Sequence, residues 1–295
     1  MAKSIWTALL GAEVKFIQGE KYRTRIVEAG NENPETLVMI HGGGGHLETF
    51  AYNVMPLAKH FHVIGMEMLC HGLSSVPDLI DDFNSQVSDQ IFELIHTMNL
   101  GRIWLHGEAG GGSGITPLVM KHPEMLKGVI FESGIAVNLK EGTFAPPAPP
   151  VGGITMRERT LQLLDSPDWE SIHARLLMVM HRDHPERVTD ELVDIRLAHY
   201  SRQSTNDGQR KYYNRVNSSS YNYSEEDISK IKLPVLVLWC DGNSGLGADA
   251  GERVASIIPE AQFKLMPETG WWAHWEKPDI FNDAVTQFIK GEKVS

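Results

Sequence analysis

Short, continuous apolar runs recur along the chain, each bounded by polar or glycine-rich residues. TLVMI ends at His41-Gly42, HVIGMEM (62–68) runs up to Cys70-His71-Gly72, and RIWLHG (102–107) and KGVIFES (127–133) follow. LPVLVLWC (233–240) and AQFKLMPE (261–268) come late in the chain. Runs this short, rich in β-branched residues and without polar alternation, predict strands buried on both faces. Between them the apolar positions change to helical spacing. VSDQIFELIHTMN (87–99) predicts a helix starting near Ser88, and 113–122 and 249–258 predict two more. PDIFNDAVTQFIKG (278–291) predicts a closing helix, with Pro278 in its first turn and Gly291 beyond its end. Alternating strands and helices predict an α/β fold, a mostly parallel sheet with helices on both faces.

The alternation stops between residues 138 and 228. TFAPPAPPVGG (143–153) has too much proline and glycine for regular structure. Helix-like segments follow at 155–165, 168–181, 189–201 and 206–216. The expected organisation is a core domain made of residues 1–137 and 229–295, with 138–228 inserted as a helical lid. A lid over the carboxyl edge of the sheet would cover the place where open α/β sheets bind ligands; a long decorated connection is the alternative. No internal repeat is visible.

Composition narrows the function classes. The 295 residues are 42% hydrophobic and 22% charged, ordinary for a globular protein, with a formal net charge of −11. That balance argues against nucleic acid or an anionic membrane as partner, since both need a basic face. Two cysteines make no disulfide framework and fit a reducing compartment. The N-terminal stretch is a poor signal peptide, and no apolar run approaches the roughly 18 residues of a membrane span. The expectation is a cytoplasmic protein acting on a small molecule, with a homodimer as the default assembly.

The segment HGEAGGGSG (106–114) sits between a predicted strand and a predicted helix. Enzymes that place a nucleophilic serine there use the pattern G-x-S-x-G; here it is Gly107-Glu108-Ala109-Gly110-Gly111. Together with HGGGGH (41–46) and GWWAHWEKPDIFN (270–282), this resembles the α/β-hydrolase fold, most closely the meta-cleavage-product, or C–C bond, hydrolases. The resemblance runs from about residue 15 to 291. It implies a serine attacking a carbonyl, a histidine taking the serine's proton and an acid orienting the histidine. The positions that match these three hold Ala109, Trp271 and Asn243, none of which can play the part. Asp241, two residues before Asn243, is an alternative acid.

Other parts of the pattern persist. Gly43, Gly44 and the N–H of Gly110 are candidate oxyanion-hole donors, because backbone groups survive side-chain changes; the same glycines also suit a sharp turn. The resemblance makes Arg196 a candidate for the substrate carboxylate, which a guanidinium fork binds through two bonds. It makes Trp272 a pocket wall, and Trp271 in place of histidine favours a flat, unsaturated ligand. His46 stands at the expected pocket mouth with Glu48. Glu108, Glu132 and His274 are the candidates for proton transfer: Glu108 beside the altered nucleophile position, Glu132 where some relatives of the fold place a displaced acid, His274 three positions beyond Trp271. His41 and His71 suit structural turns, and His106 is expected to pack under the nucleophile turn. The thirteen histidines form no metal-ligand spacing, and no phosphate-binding or dinucleotide motif occurs, so neither metal nor cofactor is expected.

These readings predict an enzyme acting on a small unsaturated keto- or enol-carboxylate, or a related aromatic-pathway metabolite. Non-hydrolytic acid–base chemistry of isomerase, lyase or cyclase type is the first expectation. A C–C or ester hydrolase that activates water directly, and a catalytically silent ligand-binding protein, are the alternatives.

Overall fold

The computed structural model describes residues 4–78, 81–140, 153–215 and 223–295. Eight strands form one sheet: β1 (Glu13–Gln18), β2 (Arg23–Ala29), β3 (Thr36–Ile40), β4 (His62–Met66), β5 (Ile103–Glu108), β6 (Leu126–Glu132), β9 (Val235–Cys240) and β10 (Gln262–Met266). Their order is β1-β2-β4-β3-β5-β6-β9-β10. β2 pairs antiparallel with both β1 and β4, and every other pairing is parallel. The two-residue strands β7 (Val137–Asn138) and β8 (Tyr223–Ser224) pair with each other where the chain leaves and re-enters the sheet domain.

β3 and β9 are buried along their whole length, which is why their sequences read as unbroken apolar runs. α3 (Phe83–Thr97), α4 (Gly110–Lys121) and α10 (Ala248–Ile257) close one face through Val87, Ile91, Ile115, Leu118 and Val254. The other face is closed by α2 (Ala51–Leu57) and α12 (Pro278–Ile289) through Val54, Leu57, Phe281 and Val285. α1 (Ile5–Ala8), α9 (Glu225–Ile228) and α11 (Ala273–Glu276) are single turns. α3 starts earlier than Ser88, because the Asp82 side chain caps it by accepting from Ser85 N–H at 3.1 Å. Ser88 instead ties α3 to α4, donating to Gly114 O at 2.7 Å and accepting from Leu118 N–H at 3.0 Å.

Four helices form the insertion: α5 (Met156–Leu163), α6 (Trp169–Leu177), α7 (Asp190–Tyr200) and α8 (Gln203–Arg215). Side chains of Thr155, Asp168 and Thr189 cap the first three. Leu163, Ile172, Leu176, Leu192 and Val193 pack with Trp272 and Trp275, so one apolar cluster joins the insertion to the sheet domain. Of the proline-rich segment 143–153, all but Gly153 lies outside the described residues.

Candidate functional site

The turn between β5 and α4 holds Ala109 at φ 43° and ψ −109°, strained for any residue with a side chain. Glycines make the turn possible. A Cβ on Gly111 would stand 2.6 Å from His41 O, and one on Gly112 would stand 2.1 Å from Gly134 O. The geometry is that of a turn presenting a nucleophile, and the residue presented is a methyl group.

The glycine loop after β3 lies against this turn. Glu108 Oε2 accepts from Gly42 N–H at 2.5 Å, His71 Nε2 accepts from Gly44 N–H at 2.9 Å, and Gly45 N–H donates to Gly42 O. Gly44 is therefore not the free donor expected of it. The N–H groups of Gly43 and Gly110 lie close together: a Cβ on Gly110 would stand 3.1 Å from Gly43 N. The Tyr212 hydroxyl overhangs both: it would lie 2.5 Å from a Cβ on Gly43 and 2.8 Å from one on Gly110. A ligand oxygen held by these two N–H groups would sit beneath a phenol.

Glu132, at the end of β6, is fully buried, not a solvated strand end. His106 Nε2 donates to its Oε2 at 2.8 Å, and His274 Nδ1 and His274 N–H donate to its Oε1 at 3.0 and 3.1 Å. Burial alone would raise its pKa. The charge of His274 and the hydrogen bonds from His106 and His274 outweigh burial and hold the carboxyl down to about 2. Glu132 O also accepts from Ala109 N–H at 2.8 Å, so the network braces the strained turn. His274 Nε2 and His106 Nδ1 have no partner among the described residues. Glu108, the register partner of Glu132 on β5, behaves oppositely. Burial and the Glu132 charge push its pKa well above the carboxylate range, so the neutral acid is favoured. Two carboxyl groups whose environments drive their protonation apart are the pattern of an acid–base pair.

Arg196, on α7, is 2% exposed, yet its Nε and Nη2 have no partner among the described residues. Its guanidinium carbon lies 5.5 Å from the Tyr200 ring and 5.6 Å from the buried Trp272 ring. A buried guanidinium with unpaired donors carries a desolvation cost that the protein does not offset.

Trp271 does not reach toward Ala109. Its Nε1 donates to Ser244 Oγ at 3.1 Å, and its ring packs over Gly245. Asn243 Oδ1 accepts from Gly245 N–H and Leu246 N–H. The two positions expected to hold a histidine and an acid instead stabilise one loop. Asp241, the alternative acid, has each carboxylate oxygen accepting one backbone N–H, from Glu268 and Thr269.

His46 is buried with its Nδ1 2.9 Å from Glu48 Oε2, and burial lowers its pKa to about 3. With His199 these residues bring one ligand-type atom each within 4.8 Å, a grouping that linear spacing did not reveal. Glu48 is already engaged by Arg25 at 2.7 Å. A cleft of about 1190 Å³ lies elsewhere, between α1 and α2, and is lined by none of the residues around Ala109.

The comparisons with known proteins agree with this geometry. A family model described as the alpha/beta hydrolase fold matches residues 35–278. The chain belongs to the α/β-hydrolase fold family. Among relatives of this α/β-hydrolase chain is a 2-hydroxy-6-oxo-6-(2'-aminophenyl)hexa-2,4-dienoic acid hydrolase of Metapseudomonas resinovorans, 23% identical, covering 93% of this chain and 90% of the relative. Another is a 2-hydroxy-6-oxononadienedioate/2-hydroxy-6-oxononatrienedioate hydrolase of Escherichia coli, 24% identical, covering 92% of each. A solved 2-hydroxy-6-oxo-6-phenylhexa-2,4-dienoate hydrolase from Rhodococcus sp. strain RHA1 superposes with a TM-score of 0.78, at 16% identity, over 95% of this chain and 99% of that one. The chain is thus related to the meta-cleavage-product hydrolases.

Sequence reasoning passed over Arg175, Tyr200, Tyr212 and Tyr213, all buried on the insertion. A signal was present for the arginine. In WESIHARLLMVM, Arg175 falls among Ile172, Leu176 and Val179, on the stripe a helix buries.

Proposed function

We propose that this α/β-hydrolase relative is an enzyme for a small unsaturated keto- or enol-carboxylate, working without an acyl-enzyme. The carboxylate sits on Arg196, and the carbonyl or enol oxygen sits between the N–H groups of Gly43 and Gly110. Residues 138–228 cover the site as a lid. The buried guanidinium of Arg196, with Nε and Nη2 unpartnered among the described residues, beside an elbow that carries alanine supports this reading most directly. The relatives act on 2-hydroxy-6-oxo-dienoates and dienedioates, by their names, which supports the same ligand class. The neutral Glu108 carboxyl delivers a proton to a carbon of the bound enolate while the two N–H groups steady the oxygen. Its carboxylate then recovers a proton from the next enol hydroxyl, so the net step moves hydrogen from oxygen to carbon.

A hydrolytic reading has its own support, since the named relatives are hydrolases and His274 with Glu132 forms the pairing a water-activating base uses. Turnover of 2-hydroxy-6-oxo-dienoates in ¹⁸O-labelled water separates the two. The expected result is a product of unchanged mass, with Glu108→Gln lowering kcat by about 10²- to 10⁴-fold. Labelled fragments whose formation depends on His274 establish hydrolysis and overturn the first reading. A chromophore shift without product leaves a binding protein and overturns both.

A further inference from the structure

α6 and α7 pack against each other, and each buries one arginine. Arg175 on α6 is 3% exposed and Arg196 on α7 is 2% exposed. The deeply set arginines Arg25 and Arg187 carry carboxylates: Glu48 and Glu67 for the first, Glu276 for the second. Neither Arg175 nor Arg196 has a carboxylate within ion-pair distance among the described residues. Arg175 donates through Nε to Thr160 Oγ1 at 2.7 Å and through Nη2 to Tyr213 Oη at 3.3 Å, both neutral oxygens. Arg196 Nε and Nη2 have no partner among the described residues.

Both arginines connect to the glycine loop, Arg196 directly and Arg175 through the Tyr213 hydroxyl. A Cβ on Gly44 would stand 2.8 Å from Tyr213 Oη, 3.1 Å from Tyr200 Oη and 3.5 Å from Arg196 Nη1. The Tyr213 hydroxyl thus bridges from Arg175 to the loop that Arg196 faces. Both positive charges also bear on Glu108, and burial favours the uncharged form of that carboxyl. Two buried cations of like sign, neither neutralised by the protein, repel each other where water screens little. One monoanion relieves half of that imbalance.

We propose that the ligand is a dianion: an unsaturated dicarboxylate with one carboxylate on Arg196 and its distal acidic group on Arg175. This rests on the reading of Arg196 as the primary carboxylate site. It assigns Arg175 as the residue that selects diacids over monoacids, and Tyr213 as the group that orients it.

Binding of non-reacting probes tests this without any turnover. Hexa-2,4-dienedioate and hexa-2,4-dienoate differ only in the distal acid and are titrated by tryptophan fluorescence or calorimetry, with octa- and nona-length dioates to match the spacing. At least one dioate of the series is expected to bind ten- to a hundredfold tighter than the monoacid, the range of one added charged hydrogen-bonded contact. Arg175→Met is expected to abolish that preference while leaving monoacid affinity within about threefold. Arg175→Lys, which keeps the charge and guards against a folding defect, is expected to retain most of it. Arg196→Met is expected to weaken both ligands. Monoacid binding without any dioate preference in the wild type overturns the dianion proposal and spares the Arg196 reading. Equal losses for both ligands in Arg175→Met also overturn it, since that is what a purely structural arginine would do. No binding of either probe overturns the Arg196 reading and the proposal with it.

Discussion

Ala109 shows how a single position can keep the geometry of a chemistry whose reactive group is absent. Its φ of 43° costs about 1–3 kcal/mol, strain that a nucleophile would justify and a methyl group does not use. Ala109→Gly should therefore raise stability by about 1 kcal/mol, read as an upward Tm shift of about 2 °C. Ala109→Ser should leave ester hydrolysis at background, because the position matching the family histidine holds Trp271, whose indole is bonded to Ser244 and cannot take the serine's proton. A burst of acylation with p-nitrophenyl acetate in Ala109→Ser would show that a hidden base exists. Glu108 makes a second prediction at this scale. Its pKa is raised in the folded state, so the folded protein keeps a proton that the unfolded chain releases above its ordinary carboxylate pKa. Stability must then fall as pH rises past that value. Glu108→Gln should gain stability over the wild type at alkaline pH, and the gap should close toward pH 4. A gap independent of pH would mean that Glu108 is ionised in the fold.

At the level of elements, the ends of β5 and β6 and the turn of α11 meet in one buried network. Glu132 lies 142 residues from His274 in sequence and 3.0 Å from it in space. Its carboxylate is held at about 2, so its stabilisation is complete above the ordinary value of 4.5 and is lost as pH falls from there toward 2. Glu132→Gln should cost about 3–5 kcal/mol, as breaking a buried ion pair does, and should flatten the acid limb of a urea-midpoint profile. An unchanged acid limb would place the proton elsewhere. This network also marks what the sequence could convey. The apolar runs of β3 to β6 and β9 were legible because burial on both faces leaves nothing but apolar residues to read. β1 and β2 were not, because charged and apolar residues mix in EVKFIQ and RTRIVEA and β1 lies at an exposed edge. Glu132 and His274 could be singled out separately, but their pairing is set by β6 lying between β5 and β9, which no local pattern encodes. Arg175 went unread because one arginine on an amphipathic helix is ordinarily taken for a snorkelling surface residue.

Across the whole molecule, the insertion and the sheet domain are not separate bodies joined by a hinge of solvent. Leu192 and Leu176 are completely buried in a cluster that also holds Ile5 and Ala51 from the N-terminal segment and Trp272 and Trp275 from the turn before α12. The same turn carries His274 into the Glu132 network, and Glu276 fixes it by accepting from Gly270 N–H at 2.6 Å and from His181 N–H, on the insertion, at 2.8 Å. Loosening the insertion therefore loosens the Trp272 and Trp275 packing and the bracing of the elbow together. Leu192→Ala should cost about 2–5 kcal/mol, the range for truncating a fully buried leucine. The loss should appear in one cooperative transition, with far-ultraviolet circular dichroism and tryptophan fluorescence coinciding along a urea titration. Two separated transitions, the fluorescence change first, would show that the insertion opens while the sheet stays folded. Opening of that kind would also decouple the arginines from the elbow, so ligand binding would disappear with the first transition and not with the second.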